Sequence, residues 1–425
     1  MKWTGSTKLL VATVLVVLVA AVAVGVWRIS SDDGKQTAAP EAPASAAAVA
    51  DTTPIDPKTP WTGTWATAMQ DGKGEGFQQE TLRQVVRTTV GGDAVRVRLS
   101  NEFGTAPLPV SAVHLAKHTG KGTIDESTNA PVTFGGADSV TIQAGKTVVS
   151  DPVAYKLAAG TDLAVSAYVP EKVTSVTQHE SANRDNYAGS GNQSTKAELS
   201  GMRSFYSYYF LAGVDVQNPK AEGAVVALGA SITDGYDSTW NENRGWQDVL
   251  ARRLTGEGRA IGVLNAGISG NSFLQDGKGR SALNRLQRDV LGQPGVKWVI
   301  VADLGINDLG GADASGGSRL VTGLKQLIKR SHGANVKVLC GTLVPYADSE
   351  SYNSTGEAGR KTFNTFVRSS ASGCDGVVDF DAAVHDPATP TRWSSRFDQG
   401  DHMHPNNAGM EAMAAAVDSK LLATA

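Results

Sequence analysis

The sequence predicts two folded regions in one chain: a β-sandwich, followed by an α/β region whose parallel sheet is covered by helices on both faces. Three observations carry this. From residue 61 to about 216, short runs alternate apolar with polar residues and no helical spacing intervenes. After Asn218-Pro219, apolar runs alternate instead with segments of helical spacing, the pattern of βαβ units. In that second region, clusters of small and polar residues come directly after the apolar runs.

Composition sets the bounds. The chain has 425 residues, enough for two cores, and its 41% hydrophobic and 19% charged residues suit a folded protein. A formal net charge of -3 leaves no basic excess to neutralise phosphates, so a nucleic-acid partner is not expected. No Cys/His cluster shows the spacing of a zinc site, and the residues call for no metal and no cofactor.

At the N-terminus, Lys2 and Lys8 precede an unbroken apolar run over residues 9–27. It exceeds the ~7–15 residues of a cleaved signal and approaches the ~20 that span a bilayer. Residues 1–27 therefore read as a signal peptide, with Ala21-Val22-Ala23 as a cleavage site, or as a membrane anchor. Either puts the rest of the chain outside the cytoplasm, secreted or tethered to the outer face of the cell membrane. Residues 28–60, rich in Ala, Pro, Asp, Thr and Ser, form a linker with little to bury. Export bears on Cys340 and Cys374: in an oxidising compartment they pair, or else they remain two buried thiols. Closing that loop of about 34 residues stabilises by roughly 3–4 kcal/mol.

The β-rich domain is placed at 61–218. Residues 94–99, 139–143 and 163–169 alternate as half-buried strands, with turn signals at Gly91-Gly92-Asp93, Gly135-Gly136 and Ala144-Gly145-Lys146. A polar stretch at 173–199 holds His179, Asn183, Arg184, Asp185 and Asn186. It reads as a solvated loop in preference to one that touches substrate.

The second domain is placed at 219–425. Its strand-like runs are 225–228, 261–264, 298–301, 336–339 and 377–380, with helices over 246–254, 320–329 and 406–422. Ligands of an open parallel sheet bind beyond the carboxyl ends of its strands. The first run leads into Gly229-Ala230-Ser231-Ile232-Thr233-Asp234-Gly235, and the second into Asn265-Ala266-Gly267-Ile268-Ser269-Gly270-Asn271. The third is succeeded by Gly305-Ile306-Asn307-Asp308. After the last run comes a long loop ending in Asp401-His402-Met403-His404-Pro405. All four clusters are thereby expected on one edge. Acyl transfer needs a nucleophile, a base, a group to orient the base and donors for an oxyanion. Ser231, His404 and Asp401 fill the first three roles; the Ser231 and Gly270 amides and the Asn307 side chain supply the donors. Taken singly, each cluster is a commonplace turn, helix cap or capped loop. Joined in order, they specify a site. His402, beside Asp401, is the less suited histidine.

These clusters, in this order, resemble the SGNH (GDSL-type) hydrolase family over residues 223–425, with Ser231, Gly270, Asn307 and the Asp401/His404 pair at the family's positions. The resemblance implies a three-layer α/β/α domain with a five-stranded parallel sheet, and hydrolysis of carboxylic esters of lipids, aryl alcohols or acetylated glycans. Secreted actinobacterial members with a β-rich domain in front are similar across the exported region. One position departs: the family has Asp before the nucleophile and this chain has Ala230. That predicts looser oxyanion loops and slower turnover. Thr233, where a Gly-x-Ser-x-Gly elbow requires glycine, argues against the α/β-hydrolase fold.

The expected function is an exported serine esterase acting through an acyl-Ser231 intermediate on a small-molecule or glycan ester, with short acyl or acetyl groups favoured. The alternatives are a catalytically weak or inactive carbohydrate-binding protein, a lipase or lysophospholipase of the same fold, and transfer of the acyl group to an alcohol.

Overall fold

The computed structural model describes residues 57–72, 76–311 and 313–423. The signal or anchor at 1–27, and the linker up to residue 56, lie outside the described residues.

The first half is all antiparallel. One sheet contains strands Trp61–Ala66, Leu211–Gln217, Gly92–Ser100 and Val153–Leu157; a larger one is centred on Glu80–Arg87, Asp162–Val169 and Leu108–Gly120. Alternation sets which side chains point inward. Val95, Val97 and Leu99 from the first sheet meet Leu82, Val86, Leu163 and Val165 from the second in one core, a β-sandwich. The runs 94–99 and 163–169 lie within Gly92–Ser100 and Asp162–Val169, and the run 139–143 forms Ser139–Ile142, one residue shorter than expected.

The expectation for 173–199 fails. Residues Val176–His179 and Asn186–Ser190 are strands, and His179, Arg184 and Asn186 are buried. Each buried polar side chain there finds at least one partner, although Arg184 Nε has none among the described residues, which is why a polar stretch is tolerated inside. Asn186 accepts from the Val85 amide and donates to the Ser207 carbonyl.

The second half is a five-stranded parallel sheet of Gly223–Gly229, Ile261–Gly267, Val296–Val301, Lys337–Gly341 and Gly376–Val378. In space the order is second, first, third, fourth, fifth. Every residue of Gly223–Gly229 is buried, as expected of a central strand covered on both faces. Helices Trp246–Gly256, Phe380–Val384 and Asn407–Ala416 pack together as one group; Ala282–Leu286, Gly316–His332 and Ser354–Arg368 form another. The helix expected over 406–422 stops at Ala416. Asp418 then accepts from the Lys420 amide and starts a separate short turn, Ser419–Leu422. The last strand ends at Val378 because Asp379 caps the next helix. Cys340 and Cys374 are joined by a disulfide.

The two halves meet along strand Ile261–Gly267. The Thr89 hydroxyl donates to the Val263 carbonyl and accepts from its amide, at 3.3 and 2.9 Å. Glu102 pairs with Arg280 and Arg288, and Ala66 belongs to the core of the second half. The edge of the parallel sheet is covered rather than exposed.

Candidate active site

The strand order changes direction between the first and third strands, and ligand crevices of open α/β sheets form at such a switch point. Ser231 comes after the first strand and Asn307 after the third. Ser231 opens a one-turn helix, Ser231–Asp234, whose first amide has no partner among the described residues.

Ser231 Oγ lies 2.8 Å from His404 Nε2, and His404 Nδ1 lies 2.6 Å from Asp401 Oδ2. The other Asp401 oxygen accepts from the His404 and Met403 amides at 2.9 and 3.0 Å. Partial burial pushes the Asp401 carboxyl up, but the His404 ring and these amides outweigh it and hold the group down at about 2. With Nδ1–H donated to the carboxylate, Nε2 is free to accept from the serine hydroxyl. His404 is buried, and the exposed Tyr236 ring packs on it with centroids 4.5 Å apart. His402 is turned away at φ 61°, its Nδ1 2.6 Å from Asp398.

On the other side of Ser231, two loops are stitched together. The Asn307 side chain donates to the Asn271 carbonyl at 2.8 Å, and Asp308 accepts from the Phe273 and Leu274 amides at 2.7 and 3.0 Å. Gly270 is exposed at φ 74°, a backbone conformation that glycine adopts without a Cβ penalty. Its amide has no hydrogen-bond partner among the described residues.

Three buried groups that sequence reasoning missed, Asp303, Arg285 and His179, hold this arrangement. Asp303, at the end of the third strand, accepts from the Ala230 and Ile232 amides at 3.1 and 2.8 Å and from Thr233 Oγ1 at 2.5 Å. The nucleophile turn is thus tied down by a carboxylate from elsewhere, although Ala230 offers none. Arg285 donates to the Gly229 and Ala266 carbonyls and to Asn271 Oδ1, at 2.9, 2.6 and 3.1 Å, pinning the first two strand ends to the oxyanion loop. Asp234, at the end of the nucleophile turn, accepts from the Ser269 amide and hydroxyl and is paired with His179 of the β-rich half. Each looks unremarkable in sequence: a lone acid after an apolar run, an arginine in a helix and a histidine in a polar stretch.

A mostly polar cavity of about 280 Å³ adjoins Asn307, lined by Ser272, Leu274, Gln275, Asp308 and Arg319 among others. Among the described residues no three His, Cys, Asp or Glu side chains are grouped to hold a metal ion. No helix among them is long and apolar enough to cross a membrane.

Residues 227–412 match the model of the GDSL-like lipase/acylhydrolase family. Among solved structures, the chain is similar to a GDSL-like lipase from Bacteroides thetaiotaomicron, at 18% identity over 47% of this chain and 88% of that one, TM-score 0.35. It is similar also to a lipase/acylhydrolase from Enterococcus faecalis, at 23% identity over 46% and 92%, TM-score 0.35. A psychrotrophic esterase from Pseudoalteromonas sp. stands at 22% identity over 46% and 93%, TM-score 0.34. No curated protein matches the chain.

Proposed function

Residues 227–412 belong to the GDSL-like lipase/acylhydrolase family, and from that premise we propose that the protein is an exported serine ester hydrolase with Ser231 as nucleophile. The observation that carries the reading is the continuous chain from Ser231 Oγ through the His404 ring to Asp401, at 2.8 and 2.6 Å.

Ser231 Oγ attacks the ester carbonyl carbon while its proton passes to His404 Nε2, and Asp401 stabilises the imidazolium. The carbonyl oxygen becomes an oxyanion that accepts from the Ser231 and Gly270 amides and the Asn307 side chain. One such donor is typically worth ~2.7–4 kcal/mol in the transition state. Collapse expels the alcohol, which takes the proton from His404 and leaves acyl-Ser231. Water, deprotonated by His404, then attacks the acyl carbon, and a second collapse releases the acid and restores the serine hydroxyl. The Asp401 carboxyl, held down at about 2, keeps its charge between pH 8 and 4, so a fall in activity across that range does not come from Asp401. A flat rate profile over that range contradicts a histidine base.

The polar lining beside Asn307 favours a short acyl group over a long aliphatic chain. Hydrolysis of p-nitrophenyl esters from acetate to palmitate, beside Ser231→Ala, tests both points. We expect turnover that peaks at acetate or butyrate, disappears in the variant and is unchanged by EDTA. An optimum at palmitate makes the protein a lipase. No turnover on any ester, with no phosphonate adduct on Ser231, transfers the weight to a glycan-binding protein.

A further inference from the structure

We propose that His179, in the β-rich half, is a positioning residue for the oxyanion loop, so that the β-rich half is part of the catalytic machinery. The proposal rests on the esterase reading above for its kinetic test, but not for its structural one.

His179 ends strand Val176–His179 and is 4% exposed. Nδ1 lies 3.0 Å from the Ala68 carbonyl. Nε2 lies 2.9 Å from Asp234 Oδ1 and 3.0 Å from the Ser181 carbonyl. Both nitrogens therefore face oxygens that only accept. A neutral imidazole has one N–H, and either tautomer leaves a nitrogen lone pair against an oxygen lone pair. The cation satisfies every contact. Asp234 is buried as well, and its second oxygen accepts from the Ser269 amide at 2.8 Å and hydroxyl at 2.6 Å, so it bears the matching negative charge. Burial opposes the charge on His179, while Asp234 and the two carbonyls favour it, and the balance holds the group above the ordinary histidine value.

This pair does more than bury two charges. Asp234 is the last residue of the turn that Ser231 opens, and Ser269 directly precedes Gly270. One carboxylate thus links the nucleophile turn to the oxyanion loop, and His179 fixes the orientation of that carboxylate. The contact is close enough that a Cβ at Gly267 would stand 2.2 Å from the Asp234 amide nitrogen. Neighbouring residues of the β-rich half grip the same segment. Asn183 donates to the Asp234 carbonyl at 2.8 Å. Asp185 accepts from the Trp240 indole and the Asn241 side chain at 3.1 and 2.7 Å. Removing His179 leaves Asp234 buried and unpaired, and the least costly relief is for its side chain to leave Ser269 for water. A displacement of this kind, on the order of 1 Å, can cost about a hundredfold in rate.

The test compares His179→Ala and His179→Gln with the wild type on p-nitrophenyl acetate, at a temperature where all three are folded by circular dichroism. We expect His179→Ala to lower kcat by roughly tenfold to a hundredfold with KM within twofold. His179→Gln, whose side-chain amide can donate to Asp234, should recover most of the loss. Hydrogen exchange is the second readout: His179→Ala should deprotect the Ser269 amide while strand Leu211–Gln217 stays protected. If His179→Ala does not fold, Ser269→Ala replaces it, removing one of the two donors to Asp234 and lowering kcat several-fold. Wild-type kcat in a folded His179→Ala or Ser269→Ala variant overturns the proposal. So do equal losses in the Ala and Gln variants of His179 that track their melting temperatures. An inert wild type overturns the esterase reading instead, and exchange at Ser269 still decides this one.

Discussion

On the side of the base, Asp401 and His404 stand three residues apart in one loop, and the carboxylate is fixed by amides of that same loop. On the side of the nucleophile, Ser231, Gly270 and Asn307 come from three strand ends and are held by Asp303, Arg285 and the His179–Asp234 pair. The first arrangement is made by local geometry and needs few residues. The second depends on buried charges brought from as many as 73 residues away. It is therefore the side on which a substitution far from the chemistry can act.

The largest effects should come from the reacting groups. Ser231→Ala should lower kcat by roughly 10⁵-fold or more, with protein still folded. Asp401→Asn should cost roughly 10³–10⁴-fold, because an amide cannot hold the tautomer or stabilise the imidazolium. Steady-state kinetics on a short ester reads both. Activity within tenfold of wild type for Asp401→Asn breaks the account of the base side.

Asp303→Asn probes the other side. Its two oxygens take two amides and a hydroxyl from the nucleophile turn, whereas an asparagine brings one oxygen and an N–H that faces donors. We expect kcat to drop by about tenfold to a hundredfold and the melting temperature to fall by several degrees. Labelling of Ser231 by a phosphonate should slow in parallel. Unchanged labelling in a destabilised variant shows that Asp303 supports the fold and not the nucleophile.

This contrast also explains what the sequence disclosed. The parallel sheet was legible because its runs are apolar, because four of the five are followed by a cluster of small and polar residues, and because helical spacing separates them. The alternation of residues 94–99 and 163–169 marked the sandwich for the same reason. Ser231, Gly270, Asn307, Asp401 and His404 were legible as positions because small and polar residues at strand ends have little other reason to recur in that order. Asp303, Arg285 and His179 were not. Their meaning lies in what they touch, and a lone charged residue at the end of a strand has no pattern to distinguish it from a solvated one. The stretch 173–199 misled for that reason: its polar residues are satisfied by partners distant in sequence, in both halves of the molecule, which composition does not reveal.

The disulfide separates stability from activity more sharply. It closes a loop over a sequence separation of 34 beside the fourth and fifth strands. Cys340→Ser with Cys374→Ser should cost about 3–4 kcal/mol of stability by loop-closure entropy. Turnover at 25 °C should remain within twofold, since neither cysteine contacts the groups that hold Ser231. A loss of kcat larger than tenfold in folded protein extends the sensitive side of the site to the far strands.

The smallest effect concerns the seam between the two halves, where Asp248 lines a cavity with Arg87 and Arg184. Burial pushes its carboxyl up to about 6, against the pull of Arg252 and the Gly245 amide. An unfolded aspartate titrates near ~3.9, so between about pH 4 and 6 the folded state binds more proton than the unfolded state, and stability falls as pH rises through that window. Above it the destabilisation persists at full size. Asp248→Asn keeps an oxygen to accept from the Gly245 amide at the start of helix Trp246–Gly256 and removes the charge. The variant should be more stable than wild type by about 1–2 kcal/mol at pH 8 and should lose that advantage by pH 4. Urea unfolding at the two pH values measures the difference. An equal effect at both shows that Asp248 titrates as an exposed carboxylate, and that the seam is wetter than its lining implies.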